Sequence, residues 1–427
     1  MELEMGSIEA IDNSSAKNAE HKDLSATDHP SYNQIPKFFD PPPKPEDKAR
    51  QLRRREAHSH FLQDQAEELL NAEDLSELLR TLEKHVTETT RSKRQLINLD
   101  DYLIVVSKVS AKCQKLMTVA LFFELMLSSN YPGLLDIVSI YNHIIRRVSV
   151  IQGRIGLSSY DDFGQGYLNE SGLESYITDI IPKLGQIRDC MQPSFQRFYV
   201  CSVVKKFFFY LDHLHVRRIR IRDIASSGLL SQLLALRDKP NYKDAKETET
   251  TNCFSMPAIL GVYEKYLDLD TDHDGMLSKK ELSKYGSGGL TSIFLDRAFE
   301  VCRTYSGKMD YKTFLDFHFA MENRKSLPAL HYIFRILDIN QQGYLTAQTL
   351  RYFYAGIEAR FKTLKAEAVN FQDLKDEIFD MVRPKDPLKI TLKDLINSGQ
   401  GETVLSILIE FDKFLAYENR EENLQNV

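Results

Sequence analysis

The sequence predicts an all-α protein, an elongated array of helix–loop–helix units with minimal β-bridges between paired loops. One element recurs from about residue 100 onward: an amphipathic helix, a polar loop with a lone β-type residue, then a second helix. A content of 42% hydrophobic and 27% charged residues is typical of a folded globular chain. At 427 residues, the chain is long enough for two or three domains.

The first hundred residues change character twice. Residues 1–34 are polar and acidic, so we expect a disordered N-terminal tail. The proline-rich segment that follows contains Phe38 and Phe39, and we interpret it as an extended strap that docks onto a groove. Residues 46–86 have apolar positions at helical spacing, so residues 35–99 form a region of strap and N-terminal helices. The basic run 50–55 is interpreted as a solvated helix face, with nuclear import or an acidic partner as the alternatives.

The remainder divides at a charged and polar stretch, residues 238–251. Before it, residues 100–250 are predicted to be a helical domain with degenerate units. After it, residues 251–420 are predicted to hold the best-formed loop, two degenerate loops and a helical tail. Residues 421–427 are predicted to be a flexible C-terminus.

Bulk properties limit the functional classes. The net charge of −6 argues against nucleic acid as the main partner, because phosphate binding needs concentrated Lys and Arg. Five cysteines without C-x-x-C spacing indicate reduced thiols in an intracellular protein. The longest apolar stretch, residues 116–127, is too short for a membrane span, and we see no secretory signal. We therefore expect the cytosol, the nucleus or both.

One loop carries recognisable chemistry. Residues 270–281 match the EF-hand calcium pattern D-x-[DN]-x-[DN]-G-x5-E. Calcium takes six to eight oxygen ligands. The pattern assigns side-chain carboxylates to Asp270, Asp272 and Asp274, a backbone carbonyl to Met276 and a bidentate carboxylate to Glu281. The alternative is an acidic surface turn that resembles this pattern by chance.

The residues around these ligands agree with the assignment. Gly275 allows the sharp turn, and Leu277 occupies the position at which paired loops form a β-bridge. Ser278 and Glu281 form an S-x-x-E capping box, which starts the outgoing helix. The partner loop is predicted at residues 302–313, with Met309 opposite Leu277.

The other loops lack ligands. Residues 302–313 have no carboxylate in a key position, and residues 338–349 have Gln342 and Thr349 where the fifth and twelfth ligands belong. In residues 212–223, Arg217 replaces the glycine, and residues 161–172 end in Gly172. We interpret all four as structural repeats without metal chemistry.

Enzymatic motifs are absent from the sequence. There is no P-loop, dinucleotide-binding glycine pattern, H-E-x-x-H or G-x-S-x-G. We therefore predict no enzyme. The aromatic run 207–210 is interpreted as core packing, with an anchor for a partner as the alternative.

Several longer strings resemble one known family, the B-double-prime regulatory subunits of protein phosphatase 2A, and within it the gamma branch that includes the plant TONNEAU/FASS protein. The resemblance covers residues 35–421. The strings are RIGLSSY (154–160), GQGYL (164–168), FYVCSVVKKFFFY (198–210), MDYKTFLDF (309–317), ENRK (322–325), DEIFDMVRPKDPLKITLKDLI (376–396) and YEN (417–419). The longest of them, residues 376–396, is interpreted as a family signature unrelated to any EF-hand.

The resemblance implies a targeting subunit that docks on the phosphatase's HEAT-repeat scaffold subunit and on its catalytic subunit. It also implies calcium at the five ligands assigned above, although the loop 338–349 departs from members with two calcium-binding loops. Association with centrosomes, with cortical microtubules and with a nuclear pool is implied in the same way. The alternative function is a phosphatase-independent centrosomal or cytoskeletal EF-hand scaffold. An autonomous calcium switch ranks last, because it needs a second competent loop.

Overall fold

The structure, a computed structural model, describes residues 48–89, 94–127, 129, 131–161, 164–212, 215–237 and 252–420. The predicted tail 1–34, the strap with Phe38 and Phe39, the boundary stretch 238–251 and residues 421–427 lie outside the described residues. The chain divides into two compact units, residues 1–53 and residues 54–427. Of the first unit, the described part is the beginning of the first helix.

Two loops between the N-terminal helices pair with each other, and the sequence pattern did not predict this pairing. Strands β2 and β3 pair antiparallel, with Leu96 opposite Asp136, and β1 pairs with the other edge of β2. The elements are α1 (Lys48–Glu67), α2 (Ala72–Lys84), β1 (Glu88–Thr89), β2 (Gln95–Ile97), α3 (Leu99–Lys108), α4 (Ala111–Leu116), α5 (Val119–Leu127), β3 (Leu135–Asp136) and α6 (Ile137–Ser158). Apolar side chains of α2 to α6, β2 and β3 form one hydrophobic core, in which Tyr102 and Phe122 are among the largest buried side chains.

A second pair of loops follows, and it joins the two degenerate loops 161–172 and 212–223. Leu168 lies opposite Ile219 in the strand pair. The elements are β4 (Tyr167–Asn169), α7 (Glu170–Ile180), a 3-10 turn (Ile181–Lys183), α8 (Gly185–Arg188), α9 (Gln196–Leu211), β5 (Arg218–Arg220), α10 (Ile221–Ser226) and α11 (Gly228–Ala235). Phe207 and Phe209 of α9 are buried, so core packing is the correct interpretation for these two aromatic side chains.

The third pair contains the best-formed loop. Leu277 lies opposite Met309, as the sequence predicts. The elements are α12 (Met256–Leu269), β6 (Leu277–Ser278), α13 (Lys279–Leu282), a 3-10 turn (Tyr285–Gly288), α14 (Ser292–Val301), β7 (Lys308–Met309) and α15 (Tyr311–Glu322). Helix α15 packs against α9 of the second pair, where Lys205 forms a 2.7 Å ion pair with Asp316.

The fourth pair corrects one interpretation. Leu345 of the loop 338–349 pairs with Ile390, so the string 376–396 is the second half of an EF-hand-like pair and not an unrelated signature. Its loop contains a short bridge between Asp386 and Lys389, and its sequence lacks the first aspartate and the glycine of the usual loop pattern. The elements are α16 (Leu327–Leu337), β8 (Tyr344–Leu345), α17 (Ala347–Thr363), α18 (Phe371–Val382), β9 (Ile390–Thr391), α19 (Leu392–Ser398), α20 (Gly401–Ile409) and α21 (Phe411–Glu418).

The all-α prediction with minimal bridges between paired loops is confirmed. Within the described ranges, the strands form four small antiparallel sheets, and each sheet joins two interhelical loops. The third and fourth pairs share one continuous hydrophobic core. None of the helices described has the length and hydropathy of a membrane span. The predicted domain borders stay predictions.

Candidate metal-binding loop

The loop 270–281 begins where α12 ends. Asp270 is the residue that caps this helix, and only 2% of its surface is exposed. Its Oδ2 accepts a 2.9 Å hydrogen bond from the amide of Gly275, which has a φ of 78°. The hydroxyl of Tyr266 donates to the carbonyl of Gly275 at 2.6 Å. These bonds curl the loop tightly, and glycine tolerates the left-handed conformation that the turn requires.

Three aspartates converge inside this turn. One carboxylate oxygen from each of Asp270, Asp272 and Asp274 lies within 4.8 Å of the others. The Asp274 amide donates to Oδ1 of Asp272 at 3.2 Å, and the Met276 amide donates to Oδ1 of Asp274 at 2.9 Å. The backbone of the loop therefore orients two of the three carboxylates. The structure brings together three of the five predicted ligands through their side chains, and Met276 lies two residues after Asp274.

Glu281 makes a different set of contacts. Its Oε2 accepts hydrogen bonds from the Ser278 amide at 2.9 Å and from the Ser278 hydroxyl at 2.7 Å, so the predicted capping box is present. Its Oε1 accepts from the Thr271 amide and hydroxyl, both at 2.9 Å. Burial opposes ionisation of this carboxyl, but the donors from Ser278, Thr271 and Asp272 outweigh it and lower its pKa to about 2. Glu281 is thus a buried carboxylate that ties the start of the loop to its end.

The first aspartate has the same structural task in four loops. In each, its Oδ2 accepts the amide five residues on, and the four are Asp161 (2.6 Å), Asp212 (2.8 Å), Asp270 (2.9 Å) and Asp338 (2.6 Å). All four are buried. An aspartate at the start of a loop therefore does not by itself indicate a metal, because it holds the turn closed whether or not the other ligands are present.

The second oxygen of this aspartate distinguishes the loops. Oδ1 of Asp212 accepts the Val216 amide, and Oδ1 of Asp338 accepts the Gln342 amide, both at 3.0 Å. Oδ1 of Asp270 is buried and receives no hydrogen bond from any residue that the structure describes. The amide that would serve it belongs to Asp274 and donates to Asp272 instead. A buried carboxylate oxygen without a donor is costly unless a cation satisfies it, so the residues present fit a metal ion.

One cation that we did not predict from the sequence reaches the aspartates. The ammonium of Lys308, on the paired loop, lies 2.9 Å from Oδ2 of Asp272 and also bonds Oδ2 of Asp274. This hydrogen bond from Lys308 is the main cause that lowers the pKa of Asp272. The signal was available, because Lys308 precedes Met309, whose register with Leu277 the sequence predicts.

The arrangement suits cation binding and offers no catalytic apparatus. Carboxylate and carbonyl oxygens are the ligands of hard divalent ions. Within the described ranges, Asp270, Asp272 and Asp274 are the cluster of at least three acidic, His or Cys side chains whose ligand atoms lie close enough to hold a metal ion.

Comparisons with known proteins extend this description. No family model matches the chain. The chain is 48% identical over 391 residues to the B'' gamma regulatory subunit of serine/threonine-protein phosphatase 2A from Danio rerio, an alignment that covers 92% of this chain and 84% of the relative. The protein of the same name from Homo sapiens is 48% identical over 395 residues, with 92% and 86% covered.

More distant relatives point to the same group. A probable B'' regulatory protein of Arabidopsis thaliana, TON2, is 33% identical over 402 residues, with 92% of this chain and 83% of the relative covered. A solved chain described as a diCa PP2A PR70 holoenzyme aligns with a TM-score of 0.52 and 27% identity, over 58% of this chain and 92% of that one. Because the relatives are named regulatory subunits, the prediction of a non-enzymatic chain is confirmed. The chain belongs to the gamma branch of the B'' regulatory subunits of serine/threonine-protein phosphatase 2A.

Proposed function

We propose that this chain targets a serine/threonine phosphatase of the 2A type by docking on its scaffold and catalytic subunits, and that it binds one calcium ion. The observation that carries the docking proposal is the 48% identity over nearly the whole chain to B'' gamma subunits. At that level of identity over that length, two chains share their fold. The solved PR70 neighbour is itself part of a PP2A holoenzyme.

The calcium part of the proposal rests on the loop 270–281. Asp270, Asp272, Asp274 and Glu281 would supply carboxylate oxygens, and Met276 its backbone carbonyl. The supporting observation is the buried Oδ1 of Asp270, which lacks a donor among the described residues although its counterparts in two degenerate loops are satisfied. When bound, calcium would supply the positive charge that three converging carboxylates need.

We infer a stoichiometry of one. The loop 338–349 uses both oxygens of Asp338 for its own amides and has Gln342 and Thr349 in place of acidic ligands. A single site gives a shallow response to calcium, because steep sensing needs coupled sites. In this proposal calcium has a structural role: it fixes the orientation of α12 relative to α13 and does not act as a switch.

Reconstitution tests the docking proposal. The full chain is mixed with purified scaffold and catalytic subunits at micromolar concentration and analysed by size-exclusion chromatography, once with calcium and once with a chelator. We expect a ternary complex that elutes as one peak. If the chain elutes alone in both conditions, the docking proposal is wrong, and the phosphatase-independent scaffold becomes the better function.

Calorimetry tests the calcium proposal. Titration of the full chain with calcium should give one site, and Glu281→Gln should abolish it. The matched control is Glu264→Gln, which removes the same charge from the exposed face of α12. Unchanged affinity in Glu281→Gln would refute the ligand assignment.

The proposed location is the cytoplasm, with nuclear and centrosomal pools. It rests on the resemblance to the gamma branch, and imaging of a tagged chain tests it. Absence from centrosomes in dividing cells would remove that part of the proposal.

A further inference from the structure

We propose that Lys308 is a built-in competitor for the calcium site, an internal cation that holds Asp272 and Asp274 when no divalent ion is bound and so weakens calcium binding. This inference rests on the proposed calcium function of the loop 270–281. It assigns a regulatory role to Lys308, which lies in the paired loop 302–313, a loop without calcium ligands of its own.

The contacts of Lys308 place it at the ligand oxygens. Its ammonium is 2.9 Å from Oδ2 of Asp272 and donates to Oδ2 of Asp274. Its side chain is 28% exposed, whereas those of the two aspartates are 54% and 42% exposed. A lysine ammonium with two carboxylate partners is charged at physiological pH, because the ordinary lysine pKa lies at about 10.4.

The backbone holds this lysine in position. Lys308 lies opposite Ser278 in the strand pair. Its own loop closes through two backbone hydrogen bonds with Tyr305, at 2.8 Å and 3.0 Å. The turn between them has Ser306 and Gly307 at positive φ, a geometry that returns the chain sharply. The strand pairing that joins the two loops therefore also positions Lys308 beside the aspartates.

The fourth pair contains a lysine in the equivalent place. Lys389 precedes the bridging residue Ile390, as Lys308 precedes Met309, and it also ends a short bridged turn. Its ammonium lies over the ring of Tyr344, 4.6 Å from the centroid. The loop across from it has Asn340 and Gln342 where the third pair has aspartates. A lysine at this place thus reaches into the partner loop, and it meets carboxylates where the partner loop has a calcium pattern.

Competition follows from shared oxygens. Oδ1 of each aspartate already accepts a loop amide, so calcium and the ammonium would draw on the same Oδ2 atoms, and each would lower the apparent affinity of the other. Two exposed ion pairs are weak, and together they reduce calcium affinity by about tenfold. The lysine also neutralises converging carboxylates in the absence of metal, which lets the loop stay folded. Calcium binding would then exchange one cation for another instead of folding the loop.

The test compares three full-length proteins by calorimetry: the wild type, Lys308→Met and Lys284→Met. Methionine keeps an unbranched stem of similar length and removes only the charge. Lys284 is an exposed lysine of the same unit that lies outside the loop 270–281, and its replacement changes the net charge equally. We expect Lys308→Met to bind calcium about tenfold more tightly than wild type, and Lys284→Met to differ by less than about twofold at physiological salt.

A second measurement follows thermal unfolding. Without calcium, Lys308→Met should unfold at a lower temperature than wild type, because three carboxylates repel one another. Calcium should then raise its unfolding temperature by more than it raises that of wild type. If Lys308→Met does not fold, Lys308→Gln replaces it.

The outcomes separate this inference from the function on which it rests. Calcium binding by wild type and Lys308→Met with equal affinity would overturn the competitor and leave the site intact. If Lys308→Met binds calcium and wild type does not, Lys308 competes strongly enough to exclude calcium, which would support the inference. Lack of calcium binding by both proteins would overturn the calcium function and the inference with it.

Discussion

Replacing the first aspartate by asparagine should have opposite consequences in two loops of this protein. Both oxygens of Asp338 accept amides, from Gln342 at 3.0 Å and from Gly343 at 2.6 Å. Asparagine has one acceptor oxygen, so one of these amides would face an amide donor. Loss of one charge-assisted hydrogen bond at a buried site costs about 1–3 kcal/mol. We expect Asp338→Asn to lower the free energy of unfolding by about 2 kcal/mol, with or without calcium.

Asp270→Asn should behave differently. The asparagine oxygen can still accept the Gly275 amide, and its NH2 group would replace the oxygen that has no donor in the described part of the chain. The substitution also removes one of three converging negative charges, which relieves the repulsion among the aspartates. We therefore expect a change within about 0.5 kcal/mol in a chelator and complete loss of stabilisation by calcium.

Urea unfolding followed by circular dichroism measures both variants, in chelator and in calcium. We expect Asp338→Asn to be less stable than wild type in both conditions. Asp270→Asn should match wild type in chelator and be less stable than wild type in calcium. If Asp270→Asn costs as much as Asp338→Asn in chelator, Asp270 is only a structural clasp. The fit to a metal would then lose its main support.

Two further predictions concern charged side chains, one buried and one exposed. Arg324 and Glu410 form an ion pair with side chains 10% and 12% exposed. Arg324→Ala should lower the free energy of unfolding by about 3–5 kcal/mol, because it leaves a buried carboxylate without its partner. A loss below about 1 kcal/mol in urea unfolding would contradict this. The hydrogen bond with His318, opposed by burial, lowers the pKa of Glu322 to about 2. This carboxylate therefore adds stability that is fully present above its unfolded pKa near 4.5 and is lost as pH falls toward 2. Unfolding temperatures between pH 5 and pH 2 should fall less steeply in Glu322→Gln than in wild type, and parallel curves would refute the assignment.

Local pattern was sufficient for the elements that repeat a known geometry. The loop 270–281 was recognisable because each ligand position demands a residue type. The bridge between Leu277 and Met309 followed from the thirty-odd residues that separate paired loops, and the structure has it. The capping box of Ser278 and Glu281 is a short-range motif and is present as predicted.

Two loop pairings escaped the sequence because their loops carry no ligand pattern. Leu96 opposite Asp136 lies in a loop pair without any calcium-type spacing. The loop around Ile390 has the usual length but lacks the ligand residues, and its remaining signals were one β-branched residue and the capping box of Thr391. Such signals are common in loops that do not pair, so periodicity alone does not identify them.

Helix periodicity, ligand spacing and long shared strings are all written along the chain, so they were enough to predict the helical class, an EF-hand-like loop and the family. Which groups meet at the aspartates depends instead on how the chain folds. Whether Oδ1 of Asp270 has a donor depends on where one amide points, and the cation beside Asp272 comes from Lys308, thirty-six residues away. Interactions of this kind act through space over a few ångströms, so they follow from how two loops pair and not from either loop alone.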